Sequence, residues 1–130
     1  MKTLIALSCL AAFAVGAGRA SAADQAAQLS HAVFFELNDA SEAAVEHLVA
    51  GCKEYLSGHE GTVYFSVGTR APELNREVND QAFHVSVVVV FGNIAAHDAY
   101  QTAARHLEFI EKHKDNWKSV RVFDSYLAAD

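Results

Sequence analysis

Ala82-Phe-His-Val-Ser-Val-Val-Val-Val-Phe91 is the stretch whose reading decides the fold. It holds no glycine or proline, and from Val85 onward it is almost wholly β-branched or aromatic, so it reads as the strongest strand in the chain. A sheet covered by helices on one side should alternate apolar and polar residues. This run does not alternate. Phe83, Val85, Val87, Val89 and Phe91 share one face, and Val88 and Val90 occupy the other.

Working outward, residues 69–81 are polar, hold the only proline (Pro72) and read as a loop. Before them, Gly61-Thr-Val-Tyr-Phe-Ser-Val-Gly68 is a strand between glycine breakers. Val45, Leu48, Val49, Cys52 and Leu56 recur at helical spacing, after an acidic cap beginning at Asp39 and before a stop at Ser57-Gly58. Residues 31–37 open the domain as a strand, with Val33, Phe35 and Leu37 on one face and Ala32 and Phe34 on the other. On the far side, residues 94–114 are helical in pattern with a possible break near Thr102–Ala104, and residues 117–127 close with a fourth strand.

The order is βαββαβ, a ferredoxin-like α+β fold: a four-stranded antiparallel sheet with two helices on one face. The second face then has no cover within the chain. Each Val or Phe left in water there forfeits about 1.5–3 kcal/mol, and several together mark an interface. A second copy, sheet against sheet, is expected to supply the cover and make a homodimer.

The amino terminus reads as an export signal over residues 1–22. Lys2 precedes an uncharged apolar stretch, and Ala20-Ser21-Ala22 places small residues at a cleavage site. The stretch is short for a bilayer span, which takes about 20 residues. Lipid attachment at Cys9 is the weaker alternative, with only eight residues before it. Cleavage leaves residues 23–130 as one domain, periplasmic or secreted, with no membrane attachment. Losing Lys2 and Arg19 takes the net charge from −6 to −8. An acidic surface with no Lys/Arg run argues against nucleic-acid partners. Cys52 remains alone and, lying in the apolar helical stripe, is expected to be buried and inert.

There is no CxxC, HExxH, GxSxG or phosphate-binding loop, and no cofactor is expected. Seven histidines are many for this length. His47, His59 and His113 fall at positions that read as exposed. His106 and His113 lie two turns apart and His97 three before Tyr100, but a metal site on the second helix lacks a third ligand at matching spacing. His31 lies on the same strand face as Val33 and Phe35. Tyr100 and His106 flank the possible helix break, which could turn both rings over the sheet. An imidazole and a phenol there would suit proton abstraction beside a carbonyl. The plainer alternative makes Tyr100 a core aromatic and His106 a helix residue of no special role.

These residues, in this order and spacing, resemble the stress-responsive A/B barrel (Dabb) domains, a family of dimeric α+β barrels. The resemblance runs from His31-Ala-Val-Phe-Phe through Gly61–Gly68 and the valine-rich strand to Tyr100, His106, Phe109, Trp117 and Val122-Phe123-Asp124. Most members have no assigned activity. A plant polyketide cyclase of the family works without a cofactor, using a tyrosine and a histidine six apart. The resemblance therefore implies Tyr100, His106 and His31 as catalytic residues, and Val33, Phe35, Val87, Val89, Phe109, Trp117, Val120 and Val122 as an apolar ligand lining. Two positions depart from the family. Val85 stands where the cyclase has a pocket histidine, leaving His84 on the opposite side, and Ala103-Ala104 stand where members often carry His-Pro. Three functions follow as expectations: binding of a small apolar ligand, cofactor-independent cyclase, isomerase or lyase chemistry, or a haem-linked or cofactor-free oxygenase.

Overall fold

The computed structural model describes residues 27–130, so the export signal read over residues 1–22 lies outside the described residues. Four strands and three α-helices follow in the order β1 (Leu29–Leu37), α1 (Glu42–Leu56), β2 (Thr62–Thr69), β3 (Val85–Phe91), α2 (Ile94–Thr102), α3 (Ala104–His113) and β4 (Trp117–Tyr126). A single 3₁₀ turn, Lys114–Asn116, joins α3 to β4. The sheet order is β2-β3-β1-β4 and every neighbouring pair is antiparallel. This is the expected ferredoxin-like arrangement, with the second helix divided in two. Among the described residues no helix is long and apolar enough to cross a membrane.

Strand parity builds the core. In β1 and β3 alternate residues are buried, placing Leu29, Val33, Phe35 and Leu37 beside Val85, Val87, Val89 and Phe91. Leu48, Cys52 and Leu56 of α1 pack onto this layer, and Tyr100 of α2 and Phe109 of α3 complete it. Cys52 is fully buried, and its burial raises the thiol to about 12, so it is inert as expected.

Three local readings need correction. Phe83 does not share the buried face, because regular pairing begins only at Val85. A bend at His84 intervenes, where the backbone N–H reaches the Phe35 carbonyl and the ring Nδ1 accepts from the Leu37 amide. Phe83 thus turns to the open face and meets the Phe34 ring edge-on at 5.1 Å. The helix cap is Ser41, whose hydroxyl accepts from Ala44 N. Asp39 holds the turn before it by accepting from Ser41 N. Finally, His113 is buried, 8% exposed, between the His47 and Phe109 rings and against Gly51 of α1. The missing side chain at Gly51 makes the room that a histidine near the end of an amphipathic helix does not advertise.

That contact is tight. A Cβ on Gly51 would collide with His113 Nε2. Gly51→Ala should therefore lower stability by about 1–2 kcal/mol, overpacking outweighing the helix propensity gained. In a His113→Ala background the same change should become neutral or stabilising. Urea unfolding of the two single variants and the double variant measures this coupling.

Candidate functional site

The site lies where the helices stop covering the sheet. α1 packs over β2 and β3, and α2 over β3, whereas the helix-side face of β4 is left open. Val120 and Val122 consequently stay 39% and 48% exposed although they share a sheet face with the core. Between this strand, β1 and the α2–α3 pair lies a cavity of about 380 Å³. Val33, Phe35, Phe109, Trp117, Val120 and Val122 line it, together with Leu56 and Ile110. Val87 and Val89, expected in the same lining, are not there. They are sealed in the core, at most 1% exposed, because β3 is an interior strand lying under α1 and α2.

The polar end of the cavity is formed by His31, His97, Tyr100, Gln101, His106 and Asp124. Tyr100 and His106 converge because the helix breaks between them. Ala103 adopts an extended conformation (φ −62°, ψ 136°), which ends α2 and starts α3 in a new direction. The break needs no proline. His106 Nδ1 lies 3.0 Å from the Gln101 carbonyl, one of the acceptors left without a partner at the end of α2. A carbonyl only accepts, so Nδ1 carries the proton and donates it, and Nε2 of the neutral ring keeps its lone pair. The ring lies 4.4 Å from Tyr100, centroid to centroid.

Burial sets the charge states. Desolvation is the largest influence on His106 and pushes its pKa down, reinforced by His31, His59 and His97 and opposed by the Gln101 hydrogen bond. The ring is neutral near pH 7. Desolvation likewise pushes the Tyr100 phenol well above its ordinary range, so the hydroxyl stays protonated. His31, 5% exposed, pairs with Asp124 across the β1–β4 ladder, and its Nδ1 lies 2.6 Å from the carboxylate. Its ring meets Tyr100 and His97 edge-on at 6.0 and 5.3 Å. His59, read as exposed, is half-buried. Its Nε2 donates to the Tyr55 carbonyl and its ring abuts Tyr100 at 4.8 Å.

From sequence, Asp124 and Gln101 were not read as site residues, and His97 was read only as a candidate ligand along the second helix. Asp124 becomes visible once β1 and β4 are paired in register, since it falls opposite His31. His97 needs the tilt of α2 over the sheet, which spacing does not encode. His113, the other end of the proposed helical metal set, points instead towards α1. One ligand atom each from His31, His97 and Asp124 does lie within 4.8 Å of the others.

A four-stranded antiparallel sheet with helices on one face, and a cavity between the layers ringed at one end by histidine and tyrosine, defines a ferredoxin-like α+β domain. The chain belongs to the stress responsive A/B barrel domain family, whose model matches residues 29–127. None of the curated proteins matches it in sequence. Among solved structures it is similar to a Dabb family protein with a ferredoxin-like fold from Mesorhizobium loti. Identity is 18%, over 79% of this chain and 99% of that one, with a TM-score of 0.66. A dimeric ferredoxin-like protein of unknown function from Thermobifida fusca matches at 14% identity over 79% and 93%, TM-score 0.65. A hydroxynitrile lyase from Passiflora edulis matches at 14% identity over 80% and 96%, TM-score 0.66. At these identities the likeness is one of fold.

The buried rings make stability depend on pH. Burial lowers the pKa of both His106 and His113, and the charge of His47 adds to the effect on His113. The unfolded chain takes up protons near pH 6.5 while the folded chain resists them. Their contribution is thus fully present above about pH 6.5 and is lost as pH falls towards the folded values. Stability measured by urea unfolding should fall between about pH 7 and pH 5. The slope should be shallower in the double variant His106→Gln, His113→Gln.

Proposed function

We propose that the chain is exported, pairs as a homodimer through its open sheet face, and binds a small, mostly apolar molecule in the cavity. On a carbonyl or hydroxyl of that molecule, His106 acts as proton acceptor and Tyr100 as hydrogen-bond donor, without a cofactor. The observation that carries this reading is the fixed tautomer of His106. Its Nδ1–H is committed to the Gln101 carbonyl, which leaves a neutral ring with a lone pair beside a protonated phenol in an apolar cavity. General acid–base chemistry requires such a pair, and a volume of about 380 Å³ suits a small ligand. The Passiflora edulis protein of the same fold is a hydroxynitrile lyase. Taking the hydroxyl proton from a hydroxynitrile, so that its bond to cyanide breaks, is within the means of His106 and Tyr100.

Mandelonitrile serves as the probe of turnover, read as released benzaldehyde, and an apolar fluorophore as the probe of binding. The sample is the exported protein, beginning at Ala23. His106→Gln and Tyr100→Phe should keep the fluorophore and lose about 100-fold or more in turnover. Binding without turnover in the wild type is the second reading, which the predominance of apolar lining favours. Failure to bind either probe overturns both.

The homodimer rests on the open face. There Phe34 stacks edge-on with Phe83 and with Phe123, at 5.1 and 5.7 Å, and Phe123 remains 54% exposed. The Thermobifida fusca relative is described as dimeric. Burying such rings against a second copy recovers about 1.5–3 kcal/mol for each side chain. The wild type should sediment as a dimer at micromolar concentration and Phe123→Glu as a folded monomer.

A further inference from the structure

We infer that His31, His97 and Asp124 form a binding site for a divalent transition-metal ion of the zinc class at the polar end of the cavity. The inference goes beyond the proton-transfer reading and does not depend on it. Its first support is geometric. One ligand atom from each residue lies within 4.8 Å of the other two. Two ligands of a single zinc ion, each at about 2.0–2.2 Å, stand no more than about 4 Å apart. Side-chain rotations of about an ångström close that gap. Two of the three backbones are already fixed, since His31 and Asp124 face each other across the β1–β4 ladder.

The second support is the hydrogen bonding around His97. Its Nδ1 lies 3.0 Å from the Asp98 carboxylate and donates to it, so its Nε2 bears the lone pair. A ligating histidine characteristically gives its other N–H to a carboxylate, which fixes the tautomer and raises the basicity of the ligand nitrogen. The Gln101 side-chain amide donates to that Nε2 at 3.2 Å. Gln101 lines the cavity, so its side chain can swing aside when an ion arrives. The third support is the donor set. Two imidazoles and one carboxylate suit zinc or iron better than magnesium or calcium, which prefer oxygen alone. Three protein ligands also leave coordination positions open, and here they open on the cavity. The Asp124 side chain, 43% exposed, provides the way in from solvent. An ion held there would polarise an oxygen of a bound ligand.

The competing arrangement is an Asp124 carboxylate that only orients His31. Titration with Co²⁺ after treatment with a chelator separates the two, because cobalt reports its ligands through d–d absorption. One Co²⁺ per chain should bind and be displaced by one Zn²⁺. His97→Ala and Asp124→Asn should each weaken binding by about tenfold or more, and Asp98→Asn by about tenfold. Far-UV circular dichroism confirms that each variant is folded, and Asp124→Asn, which preserves shape, carries the test if His97→Ala does not fold. The site is overturned if the wild type binds no stoichiometric metal, or if His97→Ala binds as the wild type does. It is equally overturned if binding is lost in His47→Ala instead, since the ion then sits at the His47–His113 pair. His106→Gln should abolish turnover and leave metal binding intact, so failure of either reading remains visible in the presence of the other.

Discussion

The hydrogen bond from His106 Nδ1 to the Gln101 carbonyl holds together the feature on which the cavity depends. A continuous helix over residues 94–113 would run straight across the sheet and carry Tyr100 and His106 on different sides. At Ala103 the chain turns extended instead, and two backbone groups at the break find partners: Ala103 N–H at the Tyr100 carbonyl and the Gln101 carbonyl at His106. Each bond contributes about 0.5–1.5 kcal/mol net, but an unmade one in a half-buried position would cost more. With the break in place, α2 sets Tyr100 and His97 over β1, and α3 sets His106 and Phe109 beside them. The bond that fixes the helix break also fixes the tautomer of the ring that makes it.

The two faces of the sheet are apolar for different reasons. The inner row of β1 and β3 is covered by helices and makes an ordinary core, in which Val85, Val87, Val89 and Phe91 are at most 1% exposed. The outer row holds Phe34, Phe83 and Phe123, clustered on one another and bordered by Val78, Asn79 and Asp80 of the β2–β3 loop, with no helix over them. At the edge the inner row also loses its cover, because the helices are too few to span four strands. That shortfall leaves Val120 and Val122 as the wall of a cavity rather than part of the core. Cavity and open face are thus both products of placing three short helices on one side of a wide sheet.

Inside the cavity the electrostatics favour neutral groups. Desolvation keeps His106 unprotonated and Tyr100 protonated, so the pair offers an acceptor and a donor without a net charge. The one strong ionic element is the Asp124 carboxylate, held against His31 at the polar end. The result is a gradient from apolar wall to carboxylate within a single small space, which suits a ligand that is greasy at one end and polar at the other.

The order of elements, the buried row of β3 and the covered face of β1 were legible in the sequence, because strand parity and helical spacing are local properties. So was the meeting of His31, Tyr100 and His106, once strand face and helix break were read together. Phe83 was misplaced because a bend at His84 resets parity, and that bend depends on hydrogen bonds to Phe35 and Leu37, nearly fifty residues earlier. Val87 and Val89 share parity with the cavity residues but not their strand position. Which strand lies beneath which helix is decided by sheet order, not by alternation. His97 and Asp124 entered the site, and His113 was buried against α1, through contacts between elements far apart in the chain. Sequence by itself determined the elements, their faces and the type of fold. Only the tertiary structure decided where the helices leave the sheet bare, since that is set by how three short helices pack together, a property of no single segment.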